Sequence, residues 1–227
     1  MSPPARARQV VAIMDGALPL AEVENLLAYT LSREADFADS RVLATDPAAV
    51  PIVDRDVRCN LHLRGTTSVP DAVLQWLREL VPELASTLDD DYDDDLGHGL
   101  LEADITATRN GGFFVPHVDD GNPSVRNRST SFVLFFSQRP QPFRGGELCI
   151  ERDWRSDNRI LIFDALRDGR LGRAEIAEVV EPKFNRLAVF RSHRLHEVRP
   201  VHTDIDTFAA SRFTVTGFVR IPGPQGS

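Results

Sequence analysis

The chain has 227 residues, 42% hydrophobic and 26% charged, the proportions of an ordinary globular protein rather than of a disordered, collagenous or coiled-coil chain. Lys plus Arg number 26 against 34 Asp plus Glu, and the resulting net charge of −8 argues against binding nucleic acid or an anionic membrane by long-range attraction. The 2 cysteines, Cys59 and Cys149, lack any C-x-x-C spacing, which excludes a disulfide scaffold and a cysteine-rich zinc module.

Taken in chain order, residues 1–9 are rich in Pro, Arg and Ala and predict a loose start. The apolar stretch Val10–Met14 is too short for a signal-peptide core, and no segment approaches the roughly 18 apolar residues of a membrane span. The expectation is a cytoplasmic protein with no membrane partner. A helix is predicted from Leu18, with Pro19 in its first turn and Leu20, Val23, Leu26 and Leu27 in a helical rhythm. A second is predicted over 70–84, capped by Ser68, with Val73, Leu77, Leu80, Val81 and Leu84 on one face and Trp76 off it. Asp89-Asp90-Asp91-Tyr92-Asp93-Asp94-Asp95 follows; such dense like charge repels itself and predicts a solvated loop, and it lacks the Gly and terminal Glu of an EF-hand.

Beyond residue 100 the texture changes to short apolar or alternating runs broken by Gly, Pro, Asn and Asp. Strands are predicted at 100–106, 113–117, 131–136, 147–151, 176–181, 187–190, 196–201 and 212–220. The expected fold is mainly β with flanking helices (α+β) around a jelly-roll core. A single domain over 1–227 is expected, with 10–99 as a supporting region of helices and strand and 100–221 as the core.

Three pieces of this second region carry chemistry. His117-Val118-Asp119 ends a predicted strand, where residues i and i+2 point to the same side, so an imidazole and a carboxylate can converge on one ion. Ser192-His193-Arg194-Leu195-His196-Glu197-Val198 follows the apolar run Leu187–Phe190. A histidine from it completes a set of two His and one carboxylate, which leaves open positions on ferrous iron. His196 is chosen over His193 because it opens the alternating strand His196, Val198, Pro200. Arg212-Phe213-Thr214-Val215-Thr216-Gly217-Phe218 places Arg212, Thr214 and Thr216 on one face of a strand. An inward guanidinium there requires an anion and would grip a carboxylate by two charge-assisted bonds, whereas an outward one would pair with surface acid.

Together with Phe143-Arg144-Gly145-Gly146-Glu147-Leu148 and Glu181–Phe190, these motifs stand in the order seen in prolyl 4-hydroxylase-like oxygenases. The chain resembles the iron(II)- and 2-oxoglutarate-dependent dioxygenases, particularly the relatives of the prolyl 4-hydroxylases, over roughly residues 100–221. The resemblance implies a double-stranded β-helix, with His117, Asp119 and His196 holding Fe2+ and Arg212 binding the distal carboxylate of 2-oxoglutarate. It further implies O2 as second cosubstrate, ascorbate as a stimulant, and hydroxylation of an unactivated C–H bond with release of succinate and CO2. The substrate would be an amino-acid-derived small molecule or a prolyl or other peptidyl residue. Asp119 favours hydroxylation, since related halogenases lack that carboxylate.

Two features depart from the family pattern. The gap from His196 to Arg212 is 212 − 196 = 16 residues, longer than usual, so an inserted turn is expected over 202–210. Phe135 stands where several relatives carry a tyrosine that helps hold the cosubstrate, and Thr214 is the expected replacement hydroxyl. Gly145-Gly146 reads as a hairpin turn, Arg126 and Arg128 as a basic loop able to meet an acidic substrate, and Trp154 as packing near the site. The competing readings are a redox-silent zinc or manganese isomerase or hydrolase and a non-catalytic metal-binding module.

Overall fold

The computed structural model describes residues 9–42, 50–64, 68–88, 99–151 and 176–221. A seven-stranded antiparallel sheet runs in the order β1-β10-β6-β13-β4-β3-β2. Its members are β1 (Val11–Asp15), β2 (Phe37–Asp39), β3 (Leu61–Leu63), β4 (Leu100–Thr108), β6 (Arg128–Phe136), β10 (Arg186–Arg191) and β13 (Arg212–Arg220). A four-stranded sheet faces it in the order β5-β11-β8-β9, built from β5 (Phe114–His117), β8 (Leu148–Glu151), β9 (Ile176–Val180) and β11 (His196–Val198). β7 (Arg144–Gly145) and β12 (Val201–His202) make a short ribbon at one end. This is the expected jelly roll with flanking helices.

The alternation of each strand divides its side chains between two cores. Phe132, Leu134 and Phe136 of β6, Leu187 and Val189 of β10, and Phe213, Val215 and Val219 of β13 face outward. There they meet Val23 and Leu26 of α1 (Leu20–Ser32) and Val73, Leu77, Val81 and Ala85 of α2 (Asp71–Ala85). The opposite parity, Val133, Phe135, Ala188 and Phe190, packs between the sheets against Leu148, Ile150 and Val180. Both helices therefore lie on the outer face of the large sheet, as their apolar stripes require.

Several details differ from the sequence reading. Ser68 does not cap α2; Pro70 occupies the cap position without a side-chain bond, and the Ser68 hydroxyl donates to Asp104 Oδ1 at 3.1 Å. The predicted strand 196–201 is two strands, β11 and β12, because Arg199-Pro200 interrupts the pairing. β1, β2 and β3 are strands of the large sheet that no alternation announced. The insertion at 202–210 is a packed element: Phe208, in a 3-10 turn, sets its ring edge-on to Phe37 at 4.9 Å and to Phe213 at 5.1 Å. The acidic run 89–95 and Trp154 lie outside the described residues.

β13 is the axis of the large sheet, paired along its whole length with β4 on one side and β6 on the other. At its midpoint Gly217 lies between Ala103 and Phe132, and the Phe132 ring lies across it. A Cβ at 217 would stand 2.1 Å from the Glu102 carbonyl oxygen and 2.4 Å from the Phe132 ring. Neither strand can retreat without breaking a ladder. Gly217→Ala is expected to destabilise the protein by about 1–3 kcal/mol, the range for overpacked interiors, read as a lower denaturation midpoint. An unchanged midpoint would contradict this packing.

Candidate active site

His117 is the last residue of β5 and His196 the first of β11, and the two are direct partners in the antiparallel ladder. The ladder shifts register between His196 and Val198, and the aromatic ring of Phe114 stacks on His117 at 3.5 Å between centroids. Asp119 follows in the loop after β5, its backbone N–H donating to the Ser192 carbonyl at 2.9 Å. The metal-capable atoms of His117, Asp119 and His196 all lie within 4.8 Å of one another, and His193 is not part of the cluster. His117 and His196 are buried between the sheets, each only 5% exposed.

The orientation of each ring is set by the backbone. His117 Nδ1 donates to the Val115 carbonyl and His196 Nδ1 to the Arg194 carbonyl, each at 2.8 Å. Fixing the Nδ1 proton turns both Nε2 atoms toward Asp119, at 3.6 Å from His117 and 3.3 Å from His196. Ser131 Oγ donates to Asp119 Oδ2 at 2.7 Å and lies 2.9 Å from Ser192 Oγ. Two imidazoles and one carboxylate whose ligand atoms converge form a donor set suited to a borderline divalent metal such as iron(II).

Electrostatics favours that use. Burial, reinforced by His196, pushes His117 down to about 3, so this imidazole is neutral. Burial opposes the charged form of His196 as well, but the Asp119 charge and hydrogen bond outweigh it and its pKa rises. Burial would raise Asp119; the positive charge and hydrogen bond of His196, with help from Ser131, hold it far below the usual carboxylate range. The field that raises His196 and lowers Asp119 favours positive charge between the two side chains, where a cation would sit.

Arg212 opens β13 opposite Thr108 of β4 and points inward, 3% exposed. Its guanidinium lies over the Phe135 ring at 4.9 Å, and its Nε has no hydrogen-bond partner among the described residues. Burial lowers its pKa to about 9 with only the charge of Glu147 to oppose the fall. Gly146, read from sequence as part of a turn, has a second role: with φ +72 it runs so close to Arg212 that a Cβ would lie 2.6 Å from Arg212 Cδ. Thr214 is wholly buried, and its hydroxyl is 2.7 Å from that of Thr106, the residue beside it on β4. Arg128 reaches Glu102 at 3.2 Å and covers Phe218 at 3.6 Å, while Arg126 is exposed.

Sequence reasoning missed Ser131 and the second role of Gly146, and gave no place to Arg58, whose guanidinium lies over the Phe114 ring at 4.9 Å. A serine at an inward position of the otherwise apolar strand Phe132–Phe136 was the available signal for the first. Arg58 lies in a segment without periodicity, and its place beside Phe114 depends on a non-local backbone contact.

Comparison with known proteins agrees with this geometry. The 2OG-Fe(II) oxygenase superfamily matches residues 103–220. An uncharacterized PKHD-type hydroxylase of Synechocystis sp. is 30% identical over 120 residues, which are 53% of this chain and 36% of that protein. The chain thus spans about a third of the length of this curated relative. Among solved structures, a Pseudomonas putida prolyl-4-hydroxylase superposes with a TM-score of 0.61 at 19% identity, covering 94% of each chain. A Trichoplax adhaerens prolyl hydroxylase, in complex with a hypoxia inducible factor peptide fragment, gives 0.58 at 17% identity over 93% of this chain and 84% of that one. At these identities the structural likeness bears on the fold.

The charge arrangement has a measurable consequence. A metal ion must displace the proton held between His196 and Asp119, so affinity should fall as pH drops through the raised His196 pKa and level off above it. Binding of Mn(II) to metal-free protein near pH 6 should release close to one proton, measured by calorimetry in buffers of different ionisation enthalpy. Asp119→Asn removes the charge that raises His196, so in the metal-free protein the His196 imidazole, followed by NMR, should lose its proton at lower pH than in wild type. An unchanged His196 titration in that variant would show that Asp119 does not hold the proton there.

Proposed function

Because the chain belongs to the 2OG-Fe(II) oxygenase superfamily, we propose that it is an iron(II)- and 2-oxoglutarate-dependent dioxygenase that hydroxylates an unactivated C–H bond of an amino-acid-derived substrate, free or within a peptide. The observation that carries this reading is the presence, in one jelly roll, of the buried His117, Asp119 and His196 cluster and a buried Arg212 whose Nε is without a partner. A buried guanidinium without an anion costs several kcal/mol, of order 3–5 by analogy with a broken buried pair. The far carboxylate of 2-oxoglutarate removes that cost. A redox-silent metal site would leave Arg212 without a role.

In this reading His117, Asp119 and His196 would hold the iron, the histidines through Nε2 and the aspartate through a carboxylate oxygen. When bound, iron(II) with 2-oxoglutarate and dioxygen supplies the oxidising chemistry, and succinate and CO2 leave as the substrate carbon is hydroxylated. The protein's work is positional. The Val115 and Arg194 carbonyls fix the ring tautomers, Ser131 holds one oxygen of Asp119, and Arg212, flattened on Phe135, fixes the length and direction of the cosubstrate. Thr214, at the next inward place on β13 with its hydroxyl against that of Thr106, would be the second residue to hold the cosubstrate. Phe190, edge-on to His196 at 4.7 Å, and the apolar cluster with Phe135 and Ile150 exclude water from that side of the histidines. The free thiols of Cys59 and Cys149 support a reducing, cytoplasmic setting, and among the described residues no helix is long and apolar enough to cross a membrane.

Succinate formation against 2-oxoglutarate concentration, with iron content measured in parallel, tests the assignment. Alanine at 117, 119 or 196 should abolish tight Fe(II) binding and turnover, whereas His193→Ala should spare both. Arg212→Lys keeps the charge but loses the planar two-bond grip, so it should raise the 2-oxoglutarate requirement roughly tenfold or more with iron content unchanged. Turnover without 2-oxoglutarate would overturn the class; an unchanged requirement in the Arg212 variant would overturn the anchor.

A further inference from the structure

The segment 57–59 docks on the outer edge of β5 as if it were a further strand. Cys59 N–H donates to the Phe113 carbonyl at 2.9 Å, Phe113 N–H to the Cys59 carbonyl at 3.2 Å, and Val115 N–H to the Val57 carbonyl at 3.0 Å. Gly112 permits this approach, since a Cβ there would lie 2.4 Å from the Cys59 carbonyl oxygen. Arg58 is thereby paired with Phe114. Its guanidinium lies over the Phe114 ring at 4.9 Å, and that ring stacks on His117 at 3.5 Å. A column of three side chains, Arg58, Phe114 and His117, leads from the protein's edge to the cluster.

The charge at the head of this column has no anion bound to it. Arg58 Nε donates to the neutral amide oxygen of Asn60 at 2.9 Å, and no ion pair joins Arg58 to any described residue. Asp119 and Asp104 act on it only through space, and burial lowers its pKa to about 10. Asp119 faces the two histidines, and Asp104 accepts from Ser68, so neither is turned toward Arg58 as a partner. The residue is half-buried, and its stem is fixed by an amide and an aromatic face. A planar fork held this way matches one carboxylate. The far carboxylate of 2-oxoglutarate is already assigned to Arg212, so this anion must come from elsewhere.

We propose that Arg58 is a specificity-determining residue that binds a carboxylate of the substrate, and that the substrate is a free, amino-acid-sized carboxylic acid rather than a residue within a peptide. This rests on the oxygenase reading above and adds the substrate class. The stacked column sets the distance between the substrate's carboxylate and the reacting centre, so the carbon attacked is one a few bonds removed from that carboxylate. Arg58 thus selects by charge, while Phe114 bears on the apolar part of the substrate.

The test uses the full chain loaded with Mn(II) and 2-oxoglutarate, which binds without turning over. A panel of L-amino acids and short dicarboxylic acids is compared by calorimetry with the matching carboxamides and with N-acetylated, C-amidated tripeptides centred on the same residues. At least one free acid should bind, at least tenfold more tightly than its amide and its tripeptide. Arg58→Gln should erase that preference and Arg58→Lys should keep part of it, with 2-oxoglutarate affinity unchanged in both. The proposal is overturned if acid and amide bind wild type equally, if no acid of the panel binds, if the tripeptides bind best, or if Arg58→Gln keeps the preference. The acid-to-amide comparison on wild type needs no variant and stands even if Arg58→Gln fails to fold. Failure of wild type to bind 2-oxoglutarate at all would instead remove the oxygenase reading on which the proposal rests.

Discussion

Each histidine of the site gives its Nδ1 proton to the backbone carbonyl two residues before it, Val115 for His117 and Arg194 for His196. On this repeated local bond the rest of the site depends. It is made within a few residues of chain, so it forms with the strand end itself and needs no separate support. Antiparallel pairing of β5 with β11 then brings two such ends together, and the Nε2 atoms have one direction left to face. Asp119 supplies the charge in that direction. The result is a donor set organised before any ion arrives, so little side-chain entropy remains to be lost on binding.

The neighbouring charges extend this logic. Asp119 belongs to the metal-capable cluster, Arg212 is buried at the start of β13 and Arg58 is half-buried beside β5, and neither arginine is satisfied by a carboxylate among the described residues. Proteins seldom bury charge without a partner, because desolvation is then uncompensated. Each arginine instead rests on an aromatic face, Phe135 for Arg212 and Phe114 for Arg58. Such contacts recover about 0.5–2 kcal/mol and keep the guanidinium flat without neutralising it. Stacking thus preserves the positive charge for a ligand, where a carboxylate would have consumed it.

What was legible in the sequence was short-range spacing. Parity along β13 points Arg212 and Thr214 inward, while His117, Asp119 and His196 meet in one cluster although Asp119 stands in the turn after β5 and not at a strand position. The helices were equally legible because their apolar stripes repeat. What was not legible is set by pairing between distant segments. β2 and β3 are three residues each, too short to show alternation, and exist because β4 offers an edge to β3 and β3 in turn offers one to β2. Ser68 has the chemistry of a cap, but the helix starts two residues further on with Pro70 at the cap position, and the Ser68 hydroxyl donates to Asp104 instead. Arg58 and Gly146 carry no local pattern at all; one is placed by backbone bonds to β5 and the other by the bulk of the Arg212 side chain.

The long gap between His196 and Arg212 shows how the fold absorbs a departure in the sequence without loosening the site. An unstructured insertion at 202–210 would leave the start of β13 frayed, and Arg212 is its first residue. Instead, β12 pairs with β7, and Phe208 returns the chain to the core by packing edge-on against both Phe37 and Phe213. Phe213 is the immediate neighbour of Arg212 and, by alternation, points to the opposite face of the sheet. Its ring is held by Phe208 and stacked with Phe136 at 5.7 Å, so the outward core clamps the backbone from which Arg212 projects inward. The position of the cosubstrate anchor is therefore a consequence of packing on the other side of the sheet, and the inserted turn contributes to it directly.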